Sequence, residues 1–180
     1  PRAAPRAAAR GAGAGPARSQ RATLAGGWHW QLLPGRGCRP PESQLAAHAE
    51  PANQVHADNF AWPQDGDQLI LSVTDAARHD RGASLLTTLA VTALRNARRA
   101  ELDLADQVAM ADQAVYAHHQ GKQYVSTLLV GIDLTSGRAT AVRAGSPRLF
   151  ILRGDQARLP PLAHQLPPGI FEGTQAPAYH

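Results

Sequence analysis

Apolar residues recur every three or four positions in two consecutive stretches, and this spacing predicts two amphipathic helices. The first spans residues 82–99 behind Asp80 as N-cap, and its apolar stripe is Leu85, Leu86, Leu89, Ala90, Ala93, Leu94 and Ala97. The second spans 104–119, between Asp103 as N-cap and Gly121 as terminator, and its stripe is Leu104, Val108, Ala111 and Val115. Both are long enough to cover a sheet.

The segments on either side of these helices favour strands. Residues 55–62 and 68–74 form a predicted hairpin, because Asp65-Gly66 between them is a favoured pair for a type I′ turn. With those two residues in the turn, paired positions sum to 131, and Asp58 and Asp75 become diagonal neighbours on one face. Further strands are predicted at 124–134, 139–144 and 148–153 and a weak one at 44–50, whereas 35–43 and 154–180 favour loop.

The order of strands, two helices and strands indicates the fold class. Hairpins outnumber crossovers in this pattern, so an α+β fold with mainly antiparallel sheet is expected. The strand at 124–134 is apolar throughout most of its length, which predicts burial on both faces.

Composition divides the 180-residue chain into two parts. Residues 1–27 are almost entirely Ala, Arg, Gly and Pro, which predicts a disordered arm or linker, and 28–180 are expected to hold the folded domain. Residues 1–41 hold seven arginines and no acid, whereas 42–180 carry a net charge of −3. The basic character therefore belongs to the leading segment, and nucleic-acid binding is not expected of the domain.

Several classes of site and location are disfavoured by the sequence. Cys38 is the single cysteine, which excludes an internal disulfide and a zinc site built of cysteines. The sequence contains no uninterrupted run of 18 or more apolar residues, so no membrane-spanning helix is predicted. The start lacks the apolar region of a signal peptide, so a cytoplasmic location is expected. The chain begins with Pro1, which suggests a fragment or a processed product.

Asp58 and Asp75 are the candidate metal ligands. Two carboxylates on one face repel each other unless a positive charge lies between them. Oxygen ligands with room for water suit Mg²⁺ or Mn²⁺. The alternative is that Asp75 caps a turn while Asp58 is solvated.

Short motifs around these aspartates resemble the SpoIIE branch of the PPM-type, metal-dependent serine/threonine protein phosphatases of bacterial signalling. The matching segments, in chain order, are Leu32-Leu33-Pro34, Glu50-Pro51-Ala52, His56-Ala57-Asp58, Asp75-Ala76-Ala77-Arg78-His79-Asp80, Tyr124-Val125-Ser126-Thr127 and Ala144-Gly145-Ser146-Pro147.

The resemblance implies a fold, a cofactor and a reaction. It implies an αββα sandwich, two Mn²⁺ or Mg²⁺ ions held by Asp58, Asp75 and the carbonyl of Ala76, and direct attack of an activated water on phosphorus. Two roles are open to each of the next residues: His79 is a candidate proton donor to the leaving serine oxygen or makes a structural hydrogen bond. Arg78, which replaces a glycine of the family motif, is a candidate contact to substrate phosphate or pairs with Asp80 or Asp75. The implied partner is a phosphorylated regulator, such as an anti-sigma-factor antagonist, and a homodimer is one assembly that it allows.

Departures from the family pattern leave a second hypothesis open. His56-Ala57 replaces Gly-Gly, Ala61 replaces a further acidic residue, and Ser146 replaces a histidine. The chain also ends before the Thr-Asp-Gly segment that carries another metal-binding aspartate in the family. The alternative is a non-catalytic signalling module that keeps the fold and has lost metal affinity.

Overall fold

The computed structural model describes residues 37–38, 44–47, 58–77, 81–173 and 178–179, and the structural statements below concern these residues. Within these ranges, two helices and nine strands form. The strands are β1 (Gly37–Cys38), β2 (Leu45–Ala46), β3 (Asn59–Ala61), β4 (Gln64–Asp65), β5 (Gln68–Ala76), β6 (Val125–Asp133), β7 (Ala139–Ala144), β8 (Ile151–Arg153) and β9 (Gln156–Arg158). The helices are α1 (Arg81–Arg99) and α2 (Leu104–His119).

The strands form three antiparallel sheets. The main sheet has the order β3-β5-β6-β7, with β4 continuing the hairpin against β5. β1 pairs with β2, and β8 pairs with β9. The α+β class with antiparallel sheet is therefore confirmed.

Both helices cover the same face of the main sheet and form two clusters of buried side chains. At one end of this face, the end of α1 and the start of α2 pack on β6 and β7 through Leu94, Leu104, Val108, Leu129 and Val142. At the other end, the start of α1 and the end of α2 pack on β5 and β6 through Ala76, Leu86, Ala90, Val115 and Val125. The second cluster lies beneath the segment where Asp75 and Ala76 end β5.

Polar side chains separate the two clusters. Thr74 and Thr127, directly paired across β5 and β6, are each 1% exposed, and their hydroxyl oxygens lie 3.1 Å apart. Asn59 of β3 is paired with Thr74 and is 3% exposed. We call Asn59, Thr74 and Thr127 the polar row. Aliphatic side chains lie on both sides of it on the helix-covered face.

The opposite face of the main sheet holds a third cluster. Leu128 and Val130 of β6 and Ala141 of β7 are buried there, with Leu149, before β8, and Leu162, after β9, packed against them. β6 is thus buried on both faces through most of its length, as its apolar sequence predicted.

The helix predictions hold with one exception. The second helix has its predicted bounds, and the Asp103 carboxylate accepts the N–H of Asp106 at 2.8 Å, as an N-cap does. Gln120 ends it in a left-handed conformation, followed by Gly121. Leu85, placed in the apolar stripe of the first helix by its spacing, is 57% exposed, because the buried face follows Leu86 instead. Asp80, its predicted cap, lies outside the described residues.

Three predictions about strands are wrong. The hairpin turn is Gly66-Asp67 rather than Asp65-Gly66, since Asp65 pairs with Gln68, and the paired positions sum to 133. The left-handed conformation of Gly66, at φ +54°, is consistent with its place in the turn. The segments predicted as loop contain β9 and β1, which are short and pair only with their neighbours β8 and β2.

Candidate functional site

Asp75 and Ala76 end strand β5, where their side chains take opposite faces. The Ala76 side chain is buried under the helices, so the Asp75 side chain lies on the other face of the sheet. Residues 78–80 follow outside the described part of the chain, so the structure does not describe the predicted proton donor His79 or the predicted phosphate contact Arg78.

Asp58 comes directly before β3 and is exposed. The β3–β5 register pairs Asn59 with Thr74 and Phe60 with Val73. One further step in this register brings Asp58 directly opposite Asp75. The sequence had predicted a diagonal arrangement on the same face, and the two-residue difference in register preserves the face and brings the two positions closer.

The backbone of Ala76 is directed toward the same side of β5 as Asp58. The N–H of Ala77 donates to the carbonyl of Tyr124 at 3.2 Å, and the N–H of Val125 donates to Pro168. Backbone groups of successive residues in a strand point alternately to its two neighbours. Because Ala77 faces β6, the carbonyl of Ala76 faces the side on which β3 runs.

The residues at this position fit a divalent cation by their chemistry. Two carboxylates and a carbonyl supply oxygen donors only, which Mg²⁺ and Mn²⁺ prefer, and Mg²⁺ is commonly held by one or two carboxylates with water completing its shell. Across the described ranges, no group of three or more His, Cys, Asp or Glu side chains could hold a metal ion.

Serine hydroxyls complete this end of the sheet. Ser126 of β6 is paired directly with Asp75 and is 5% exposed. Its Oγ accepts hydrogen bonds from the backbone N–H of Ser146 at 3.2 Å and from the Ser146 hydroxyl at 3.1 Å. The sequence marked Ser146 only as a departure from a family histidine, and nothing in the pattern indicated that it contacts Ser126.

A second contact that the sequence analysis missed fixes the loop beside this end. Asp112 of α2 is fully buried, and its carboxylate accepts the N–H of Gly169 at 2.7 Å. The carbonyl of the preceding Pro168 accepts the N–H of Val125 at the start of β6. The sequence offered one signal for this contact: Asp112 directly follows Ala111 of the apolar stripe, where an acidic side chain needs a buried partner.

A cavity of about 720 Å³ lies at the other end of the sheet, away from Asp58 and Asp75. Ile70, Leu104 and Gly131 line its floor, and charged groups of both signs surround it. Among them, Arg98 has a pKa lowered by burial and by the neighbouring Arg95 and Arg99. Neither Asp58 nor Asp75 lines this cavity, so the chemistry expected of them lies elsewhere on the sheet.

Comparison with known proteins decides the family. The model of the family Stage II sporulation protein E (SpoIIE) matches residues 65–180, well over half of the chain. The chain belongs to the SpoIIE family. This confirms the resemblance to the SpoIIE branch of the PPM-type phosphatases that the motifs indicated. No curated protein matches the sequence.

Solved structures share the fold of this SpoIIE-family chain. The SiaA-PP2C domain of Pseudomonas aeruginosa matches with a TM-score of 0.66 and 19% identity, over 89% of this chain and 66% of that one. The RsbU and RsbW domains of a Mycobacterium tuberculosis protein match with a TM-score of 0.59 and 23% identity, over 73% and 37%. RsbX in complex with magnesium matches with a TM-score of 0.54 and 19% identity, over 69% and 60%.

At these identities the likeness concerns the fold, which is that of PP2C-type domains. The chain spans between 37% and 66% of the length of these three solved chains. Within the described residues, neither helix is long and apolar enough to cross a membrane.

Proposed function

We propose that this chain is part of a protein serine/threonine phosphatase that hydrolyses phosphoserine or phosphothreonine on a bacterial signalling regulator. It would use two divalent ions, either Mn²⁺ or Mg²⁺. Its substrate would be a cytoplasmic phosphoprotein of the anti-sigma-factor antagonist type. Membership of the SpoIIE family and the PP2C fold support this reaction class. RsbX, which has the same fold, was solved with magnesium.

The observation that carries the proposal is the place of the two aspartates. Asp58 and Asp75 come opposite each other when the β3–β5 register is continued by one residue, and the carbonyl of Ala76 is directed to the same side. These three groups would hold the ions. When bound, divalent ions polarise the phosphoryl oxygens and lower the pKa of a water that attacks phosphorus.

The chain's own residues would contribute binding, orientation and proton transfer. Asp75 is the second-last residue of β5 and is paired with Ser126 of β6, and the preceding Thr74 is paired on both sides, so the strand holds the Asp75 backbone in place. Arg78 would hold a phosphate oxygen pair through its planar guanidinium, and His79 would give a proton to the leaving serine or threonine oxygen. His79 stands at the histidine of the family motif, whereas Arg78 stands where the motif has a glycine, so its role rests on the chemistry of the guanidinium alone.

The test is hydrolysis of p-nitrophenyl phosphate by the purified protein at increasing Mn²⁺. We expect Mn²⁺-dependent turnover that Asp75→Asn reduces to background, because the amide replaces a charged metal ligand with a neutral one. Asp155→Asn is the matched control: Asp155 is exposed in the β8–β9 turn, and its replacement should leave turnover unchanged. Turnover that is absent at every Mn²⁺ concentration would reject the enzyme.

One observation favours the alternative, a phosphatase-like binding module with a degenerate metal site. Position 61, acidic in relatives, is Ala61, and the described residues offer only two carboxylates at this edge. Calorimetric titration with Mn²⁺ separates the two functions. Micromolar binding that Asp75→Asn abolishes supports the enzyme, whereas no heat of binding supports the module.

A further inference from the structure

The turn that follows β7 is built closely around the hydroxyl of Ser126. Gly145 has φ +98°, and a Cβ added there would lie 2.7 Å from the Cβ of Ser126 and 3.0 Å from its Cα. Only a glycine allows this backbone to approach so closely. On its other side, the N–H of Gly145 donates to the carbonyl of Gln165 at 3.0 Å. The Gly145–Ser146 turn is therefore held against Ser126 from both sides.

Ser126 and Asp75 occupy directly paired positions of β6 and β5. Ala77 and Tyr124, two residues further along the same register, are joined by a backbone hydrogen bond, so Asp75 and Ser126 form a hydrogen-bonded pair of the ladder. Side chains at such positions project from the same face with Cβ atoms about 4.5–5.5 Å apart. A serine hydroxyl and a carboxylate at that separation are within hydrogen-bonding reach.

The hydrogen-bond inventory of Ser126 leaves its proton available. A hydroxyl has one donor and two acceptor lone pairs. Ser146 donates twice to Ser126 Oγ, once from its backbone N–H and once from its hydroxyl, so both lone pairs are used. The remaining O–H can be donated, and the Asp75 carboxylate lies directly across the ladder, although the structure records no hydrogen bond between these two side chains.

We propose that Ser126 is a positioning residue for Asp75: its hydroxyl, oriented by the Gly145–Ser146 turn, donates to the Asp75 carboxylate and fixes the direction in which that carboxylate binds its metal ion. This inference rests on the proposed function, since it takes Asp75 as a metal ligand. Groups that orient metal-binding carboxylates typically change metal affinity by about 10–100-fold when they are removed.

The experiment is calorimetric titration of the purified protein with Mn²⁺ alone. Ser126→Ala should weaken Mn²⁺ binding by about 10-fold or more, and Ser126→Thr, which keeps the hydroxyl, should stay near the wild-type affinity. Ser146→Ala removes one of the two bonds that orient Ser126, so its effect should be smaller. Wild-type affinity in Ser126→Ala would overturn the inference.

Ser72→Ala is the matched control. Ser72 lies in the same sheet on the helix-covered face, and its hydroxyl donates to the carbonyl of Ala61 at 3.5 Å. The Ser72→Ala variant should keep an affinity for Mn²⁺ within about 2-fold of that of the wild type. An equal loss in Ser72→Ala and Ser126→Ala would mean that any hydroxyl of this sheet matters, and it would overturn the specific role of Ser126.

A metal-free measurement separates this inference from the proposed function. If the wild type binds no Mn²⁺, the phosphatase proposal fails and the positioning role fails with it. If the wild type binds Mn²⁺, urea unfolding of Ser126→Ala, Asp75→Asn and the double variant then tests the hydroxyl–carboxylate bond itself. Non-additive shifts of the unfolding midpoint support the bond, whereas additive shifts overturn it.

Discussion

Replacing Gly145 with alanine should destabilise the protein by about 2–5 kcal/mol, more than alanine at any glycine turn that faces open space. Two costs contribute. An alanine held in a left-handed conformation costs about 1–2 kcal/mol. Inserting a methyl group into a closely packed site costs about a further 1–3 kcal/mol, because neighbouring atoms must move. At Gly145 the atoms that must move belong to the backbone and Cβ of Ser126 in the middle strand.

The assay is urea unfolding at 25 °C followed by circular dichroism, with Gly137→Ala as the matched control. Gly137 lies in the β6–β7 turn at φ +70°, and a Cβ there would meet no atom within 4 Å. Its replacement therefore carries only the conformational cost, about 1–2 kcal/mol. If both variants lose the same free energy of unfolding, the close approach of Gly145 to Ser126 does not contribute, and the reasoning is refuted.

Three acidic residues give further predictions. Asp103→Ala removes an N-cap and should lower the free energy of unfolding by about 0.5–2 kcal/mol, measured by urea titration. Asp112→Ala leaves the buried N–H of Gly169 without its acceptor and should cost about 1–3 kcal/mol in the same assay. The Asp133 carboxylate accepts hydrogen bonds from the N–H of Ser136 and from other donors, and these bonds lower its pKa. Its stabilising effect is therefore present above about pH 4 and is lost as the pH falls through the lowered pKa. The free energy of unfolding between about pH 2 and 6 should depend less on pH in Asp133→Asn than in the wild type.

Asp155→Ala is a common control for these variants, since Asp155 is exposed in a turn of the peripheral hairpin, and its replacement should change stability by less than about 0.5 kcal/mol. A wild-type midpoint for Asp112→Ala would mean that the Gly169 N–H finds another partner. Parallel pH profiles for the wild type and Asp133→Asn would show that the turn hydrogen bonds do not favour the ionised carboxylate.

The elements that the sequence predicted well are those with a long, regular pattern. The second helix and β7 have their predicted bounds, because the helix has a cap and a terminator, and apolar residues mark the strand. The hairpin was predicted in the right place with the wrong turn. Sequence preferences favour Asp65-Gly66, whereas Asp65 continues the hairpin by pairing with Gln68, which leaves Gly66-Asp67 as the turn.

The shared face of Asp58 and Asp75 could be predicted from the sequence, whereas the contacts around them could not. Asp58 and Asp75 could be assigned to one face because strands alternate with a period of two, and a register error of two residues does not change the face. The contact between Ser146 and Ser126 joins residues 20 positions apart through a left-handed glycine. No local pattern encodes such a contact, and the same holds for Asp112 and Gly169.

The polar row has a consequence for the aspartates on the other face of the sheet. A slip of two residues between β5 and β6 would keep every side chain on its face, so the apolar clusters alone oppose it weakly. It would, however, move Thr74 opposite Val125 or Leu129 and leave buried hydroxyls among aliphatic groups, at about 1–3 kcal/mol for each lost partner. The buried hydroxyls beneath the helices thus favour a single register between β5 and β6. That register determines which residue is paired with Asp75, although Asp75 lies on the opposite face of the sheet.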